Sequence, residues 1–227
     1  DITANASDVF AGTFDGYFAW SESESYWTVP TKVAAGKGYI GFASENDMAL
    51  NVTGNEIMDD VEIALSHTVN GDNVYAYGWN LVGNPYMEEI SFEEEANDVT
   101  LNNVERKFWW WNPETMSYQY YPEGGLDANI DAWKGIWVHT TDSNASITFH
   151  KPVGKTENQN NISENKLQII TATGSILDAE TYIALNDNSD FAYDNMDIAK
   201  LTPISDEYAY SYINHEDWEN YSGKYAF

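Results

Sequence analysis

Four histidines, His67, His139, His150 and His215, are the only imidazoles in the chain. No two share the His-x-His or His-Glu-x-x-His spacing that turns a pair of rings toward one metal ion. There is no cysteine, which removes thiolate sites, thiol nucleophiles and disulfides together. No Gly-x-Ser-x-Gly elbow is present to expose an activated serine, and no glycine loop suited to cradling phosphate. Glu88, Glu89, Glu93, Glu94 and Glu95 supply carboxylates in abundance, but glycoside cleavage needs two of them held about 5 to 9.5 Å apart. A run of acids is the solvated face of a loop. By these criteria the chain is not an enzyme.

Two binding chemistries are better represented. The stretch from Asp187 through Asp190 and Asp194 to Asp197 concentrates oxygen donors of the kind Ca²⁺ takes. It lacks the glycine and terminal glutamate of an EF-hand, and the alternative is a set of turn-forming Asx caps. Ca²⁺ is the one cofactor the sequence suggests. The second chemistry is carbohydrate stacking: a strand carrying Trp109, Trp110 and Trp111 turns the middle ring to the opposite face from its neighbours. Tyr118, Tyr120, Trp133 and Trp137 fall on elements expected beside it, so the seven rings could form a platform for glycans, or could fill a core instead. Lys37 and Lys134, each followed by glycine, read as snorkelling stems over aromatic surface, with an anion site as the alternative.

The elements that would position these residues are strands. Among 227 residues, 43% are hydrophobic and 15% aromatic, with 9 Trp and 16 Tyr, a composition that suits pleated, half-buried surfaces. Short Tyr-, Trp-, Val- and Thr-rich runs alternate with Gly, Asn, Asp and Pro clusters, and no 3.6-residue apolar period persists. The fold class expected is all-β, a β-sandwich built from two internally repeated halves followed by a smaller Ig-like β module. Ile90 to Asn97, acidic and polar, reads as loop or one helical turn.

The repeat is visible in the residues. Gly16 to Trp20, Tyr26 to Val29, Gly38 to Phe42 and Ala49 to Thr53 are answered by Lys107 to Trp111, Tyr118 to Tyr121, Gly135 to Val138 and Ala145 to Phe149. Each copy is an aromatic hairpin, a loop, a Lys-Gly turn leading into a strand, and one strand more. Gly38 and Gly135 mark points that need positive φ or close backbone approach. The expected division is 1–152 for the duplicated sandwich, 153–161 for a polar linker and 162–227 for the small module.

Charge limits the partners. Ten Lys and Arg against 37 Asp and Glu give a net charge of −27, which repels nucleic acid and anionic membranes. No run approaches the roughly 18 apolar residues of a membrane span, so membrane insertion is not expected.

The string Gly78-Trp-Asn-Leu-Val-Gly-Asn-Pro-Tyr86, with its flanking aromatic hairpins and Lys-Gly strand starts, resembles β-sandwich modules near the carboxyl ends of large secreted Bacteroidota proteins, cargo of the type IX secretion system. Thr181 to Leu185, followed by Tyr193, Asp194, Asp197, Lys200 and Leu201, is similar to the segment that precedes an Ig-like and a sorting domain there. The resemblance implies a secreted, cell-surface location and a structural or adhesive role, with self-association or other surface proteins as partners and filament formation through exposed β edges. The alternative is a carbohydrate-binding module of a polysaccharide-degrading protein. Because the chain stops at Lys224 to Phe227, the small module is expected to lack strands and to expose an edge.

Overall fold

The computed structural model describes residues 3–10, 12–43, 45, 55–69, 77–122, 127–152, 166–184, 193, 197–218 and 223–226. In chain order the strands are β1 (Thr3–Asn5), β2 (Gly16–Ser21), β3 (Tyr26–Thr28), β4 (Lys32–Ala34), β5 (Ile40–Phe42), β6 (Val61–Ala64), β7 (Trp79–Gly83), β8 (Ile90–Ser91), β9 (Val99–Asn102), β10 (Phe108–Asn112), β11 (Ser117–Tyr121), β12 (Asn129–Ile130), β13 (Gly135–His139), β14 (Ser146–Phe149), β15 (Lys166–Thr173), β16 (Ile176–Ala184), β17 (Ile213–His215) and β18 (Gly223–Tyr225). Among the described residues one five-residue helix, α1 (Ala6–Phe10), joins them. The fold is all-β with antiparallel sheets of sandwich character, as the aromatic and β-branched runs dictate. The helix was not foreseen: five residues are too few to carry a period.

Two compact units divide the chain. The first comprises 1–106 with 128–157, and the second 107–127 with 158–227. The Lys107 hairpin, placed by the repeat in the 1–152 sandwich, therefore packs with the C-terminal segment.

In the first unit the organising strand is β7. On one edge it pairs with β13 in a register that runs from Gly83↔Gly135 to Trp79↔His139. On the other, Gly38 N–H donates to the Leu81 carbonyl at 3.0 Å and Gly83 N–H to that of Gly36 at 2.9 Å. Both Lys-Gly turns thus arrive at the same strand. A Cβ on Gly38 would stand 2.7 Å from Leu81 Cγ and from the Val82 carbonyl oxygen, so glycine is required there by close approach. The positive φ belongs two residues earlier, to Gly36 at 76°. Gly135 is less constrained, its nearest contact being 3.8 Å.

The Asn-Pro turn after β7 is held from inside. Asn84, buried, accepts from the Tyr86 N–H at 2.9 Å and donates to the carbonyls of Glu88 at 2.8 Å and Ile130 at 3.0 Å. Tyr86, fully buried, donates its hydroxyl to the Phe149 carbonyl at 2.7 Å. Further sheets have the orders β6-β14-β9 and β3-β2-β5, and Trp20, Trp27 and Trp137 meet edge to face with centroids 5.4 to 5.7 Å apart, the geometry favoured by ring quadrupoles. Ile90 and Ser91, expected in a loop or a single helical turn, instead form β8, buried and paired with β12. Ala49 to Thr53 lies outside the described residues.

The second unit contains the hairpins β10–β11, β15–β16 and β17–β18. Trp109 is anchored by its indole N–H on the Ala199 carbonyl at 2.9 Å, and Tyr120 by its hydroxyl on that of Ala226 at 3.3 Å. His215 stacks on Trp218 at 3.6 Å. The run Tyr208-Ala-Tyr-Ser-Tyr-Ile213 has the composition of a strand, yet β17 begins only at Ile213. The Ser211 N–H goes instead to the Asp178 carboxylate at 2.7 Å, which takes a donor that a ladder would need.

Candidate functional site

β15 pairs with β16 alone among the described residues. β16 is covered on its far side, where the Tyr182 N–H donates to the Ala226 carbonyl at 2.7 Å, whereas the outer edge of β15 has no strand beside it among those residues. Leu167 and Ile183 are cross-strand partners, 63% and 48% exposed, and Ile170 is 59% exposed. Eight residues of edge strand with apolar side chains in solvent form the arrangement that soluble proteins ordinarily blunt with charge, proline or a covering loop. The sequence signal was legible in Lys166-Leu-Gln-Ile-Ile-Thr-Ala-Thr173, a strand pattern apolar on more than one face.

The hairpin is also irregular. The register passes from Ile169↔Thr181 to Thr171↔Asp178, so Ala179 and Glu180 oppose the single Ile170 in a β-bulge. Beyond it Asp178, Glu180 and Thr181 are all buried, and so is Lys200. The Lys200 Nζ donates to Asp178 Oδ1 at 2.7 Å, to the Glu180 carbonyl at 2.8 Å and to Thr181 Oγ1 at 3.2 Å. Burial pulls the Lys200 ammonium below the usual lysine value, although Asp178 beside it acts in the opposite direction. Sequence reasoning missed this cluster, because a bulge leaves no mark on residue order.

A concavity of about 620 Å³ lies in the first unit, where Phe14, Tyr17 and Tyr39 contribute to its wall and Lys37, Glu56 and Trp133 also line it. Such a volume suits a small ligand. Trp133 is 48% exposed and has φ of 61°, a strained conformation for a bulky side chain. Its loop is fixed by Asn84 N–H on the Lys134 carbonyl at 3.1 Å and by the Lys134–Asp131 ion pair at 3.3 Å.

The aromatic residues singled out in the sequence do not gather on one open face. Trp109, Tyr118, Tyr120 and Trp137 are buried, and Trp110 and Trp111 are half-buried; only Trp133 of the seven is largely exposed. Both faces of the triplet strand find packing partners, so alternation does not leave one of them wet. Tyr208, Tyr210 and Tyr212 do form a row, but with interplanar angles of 88° and 42° it is no flat platform. Asp187, Asp190 and Asp194 lie outside the described residues. Asp197 offers its backbone carbonyl to Lys107 Nζ at 2.8 Å, and no group of three acids or histidines among the described residues is arranged for a metal. Lys37 is exposed.

All four histidines are engaged with neighbours. His139 bonds Glu105 at 2.8 Å, His150 bonds Asp60 and Thr100 at 2.7 Å each, His67 bonds Thr140 at 2.9 Å, and His215 bonds Asp217 at 3.3 Å. No family model, curated protein or solved structure matches this chain.

Proposed function

We propose that this chain is a non-catalytic structural or adhesive segment of a secreted, cell-surface protein, which associates through the outer edge of β15. The observation that carries this reading is the conjunction of an unpaired edge, among the described residues, with Leu167, Ile170 and Ile183 in solvent. Backbone donors and acceptors along such an edge pair with any extended chain, and apolar side chains supply the affinity. Calcium held by the carboxylates of Asp187, Asp190, Asp194 and Asp197 belongs to the same reading. Light scattering of the purified protein over a range of concentrations tests the edge. Larger species are expected for the native chain and loss of them for Ile170→Lys; a native chain that stays monomeric throughout would overturn the assignment.

A second reading is binding of uncharged glycan in the groove beside Trp133. It is favoured by an exposed indole on a fixed loop at an aromatic-walled cavity, and the charge of −27 disfavours acidic sugars. Titration calorimetry with neutral oligosaccharides would detect it, with Trp133→Ala expected to abolish the heat.

A further inference from the structure

The Lys200 cluster has a geometry that an ion pair alone does not require. Side chains of Lys200 and Asp178 are 4% and 1% exposed, with Nζ and Oδ1 2.7 Å apart, so the nitrogen is in direct contact with the carboxyl group it would attack. The carboxyl group is also polarised on both oxygens. Ser211 donates its N–H at 2.7 Å and its hydroxyl at 3.1 Å to Oδ2, and the Glu180 N–H donates to Oδ1 at 3.1 Å.

We propose that Lys200 and Asp178 condense into an intramolecular amide, an isopeptide bond that forms within the folded second unit without any added enzyme. The step is redox-neutral and balanced. A proton leaves the Lys200 ammonium for the carboxyl group, the freed lone pair on Nζ attacks Asp178 Cγ, and negative charge collects on Oδ2, where the two Ser211 donors are already aimed. The second Nζ proton passes to the departing Oδ1, the C–O bond breaks, and one water leaves.

Three features make the site suited to this step. Desolvation penalises the Lys200 ammonium and favours the neutral amine that attacks, in keeping with the lowered proton affinity of Lys200. Fixed contact between reacting groups replaces a bimolecular encounter, an advantage that reaches effective molarities on the order of 10⁵ M and above. Glu180, 6% exposed, adds a second carboxylate whose charge acts on Lys200. Glu180 is the proton carrier between Nζ and the leaving oxygen. The bulge brings these groups together, in keeping with the tendency of bulges to re-aim side chains beside reactive sites.

The inference is independent of assembly through β15, and so is its test. Intact-mass spectrometry of the purified chain, its fold verified by near-ultraviolet circular dichroism, is expected to show a product one water lighter than the sequence. Tandem spectra of a digest should then give a branched peptide joining Asp178 to Lys200. A folded wild-type chain at full sequence mass after prolonged incubation would overturn the proposal, since a plain buried ion pair loses no water. Lys200→Arg should remain at full mass, and a water deficit surviving in it would overturn the assignment of the nitrogen. Glu180→Gln should slow the condensation at least tenfold; an unchanged rate would remove Glu180 from the step.

Discussion

Glu22 sits in the turn between β2 and β3, yet it is buried, and its carboxylate accepts from the Thr68 N–H and hydroxyl at 2.8 Å each and from the Gly78 N–H at 2.7 Å. Removing it strands three donors, so Glu22→Ala should cost about 1–3 kcal/mol in urea unfolding. Gly38→Ala meets the Val82 carbonyl instead of a gap and should cost a similar amount, about 1–3 kcal/mol. Three tyrosines set an alkaline limit. Burial pushes the Tyr86, Tyr182 and Tyr210 hydroxyls from 10.0 up to about 12. The fold retains protons that the unfolded chain releases, so their contribution is complete below pH 10 and lost as pH rises from 10 to about 12. Stability should therefore fall across that window, with tyrosinate absorbance rising in step with unfolding. At this scale the sequence was partly readable. The recurring Lys-Gly pair flagged Gly38, whereas nothing near Asp178 or Lys200 announced that they meet, because their contact depends on a bulge and on tertiary approach.

Among the elements, the hairpins β2–β3 and β10–β11 were legible because aromatic runs separated by turn residues have no other low-energy arrangement. α1 and the irregular path of Tyr208 to Tyr212 were not, the first for want of length and the second because Asp178 captures the Ser211 N–H. The edge expected in the small module was assigned to no particular strand in the sequence; among the described residues it is β15 that has one. Proline at Ile170 would serve as a second probe of that edge, removing one N–H and setting φ. Sedimentation of Ile170→Pro should show the same loss of larger species as Ile170→Lys, even though the two substitutions share no charge.

For the molecule as a whole, composition announced the all-β class, while the path of the chain through its two units was hidden, since the repeat assigns the Lys107 hairpin to one half and packing assigns it to the other. Charge acts at this scale. At −27 the folded chain repels itself, and added salt shortens the screening length from about 30 Å at 0.01 M to about 8 Å at 0.15 M. The melting temperature should rise over that range. Calcium at matched ionic strength should raise it further if the Asp187 to Asp197 stretch takes the ion, and equal midpoints with calcium and with chelator would exclude that role.

The alternation of 1–106, 107–127, 128–157 and 158–227 between the two units has a consequence for truncation. A piece cut at the polar stretch after Pro152 would part Tyr182, Ile198 and Tyr225 from Trp109 and Tyr120, which belong to the same unit. Because each unit is assembled from two separate stretches, no single cut of the chain leaves both of them whole.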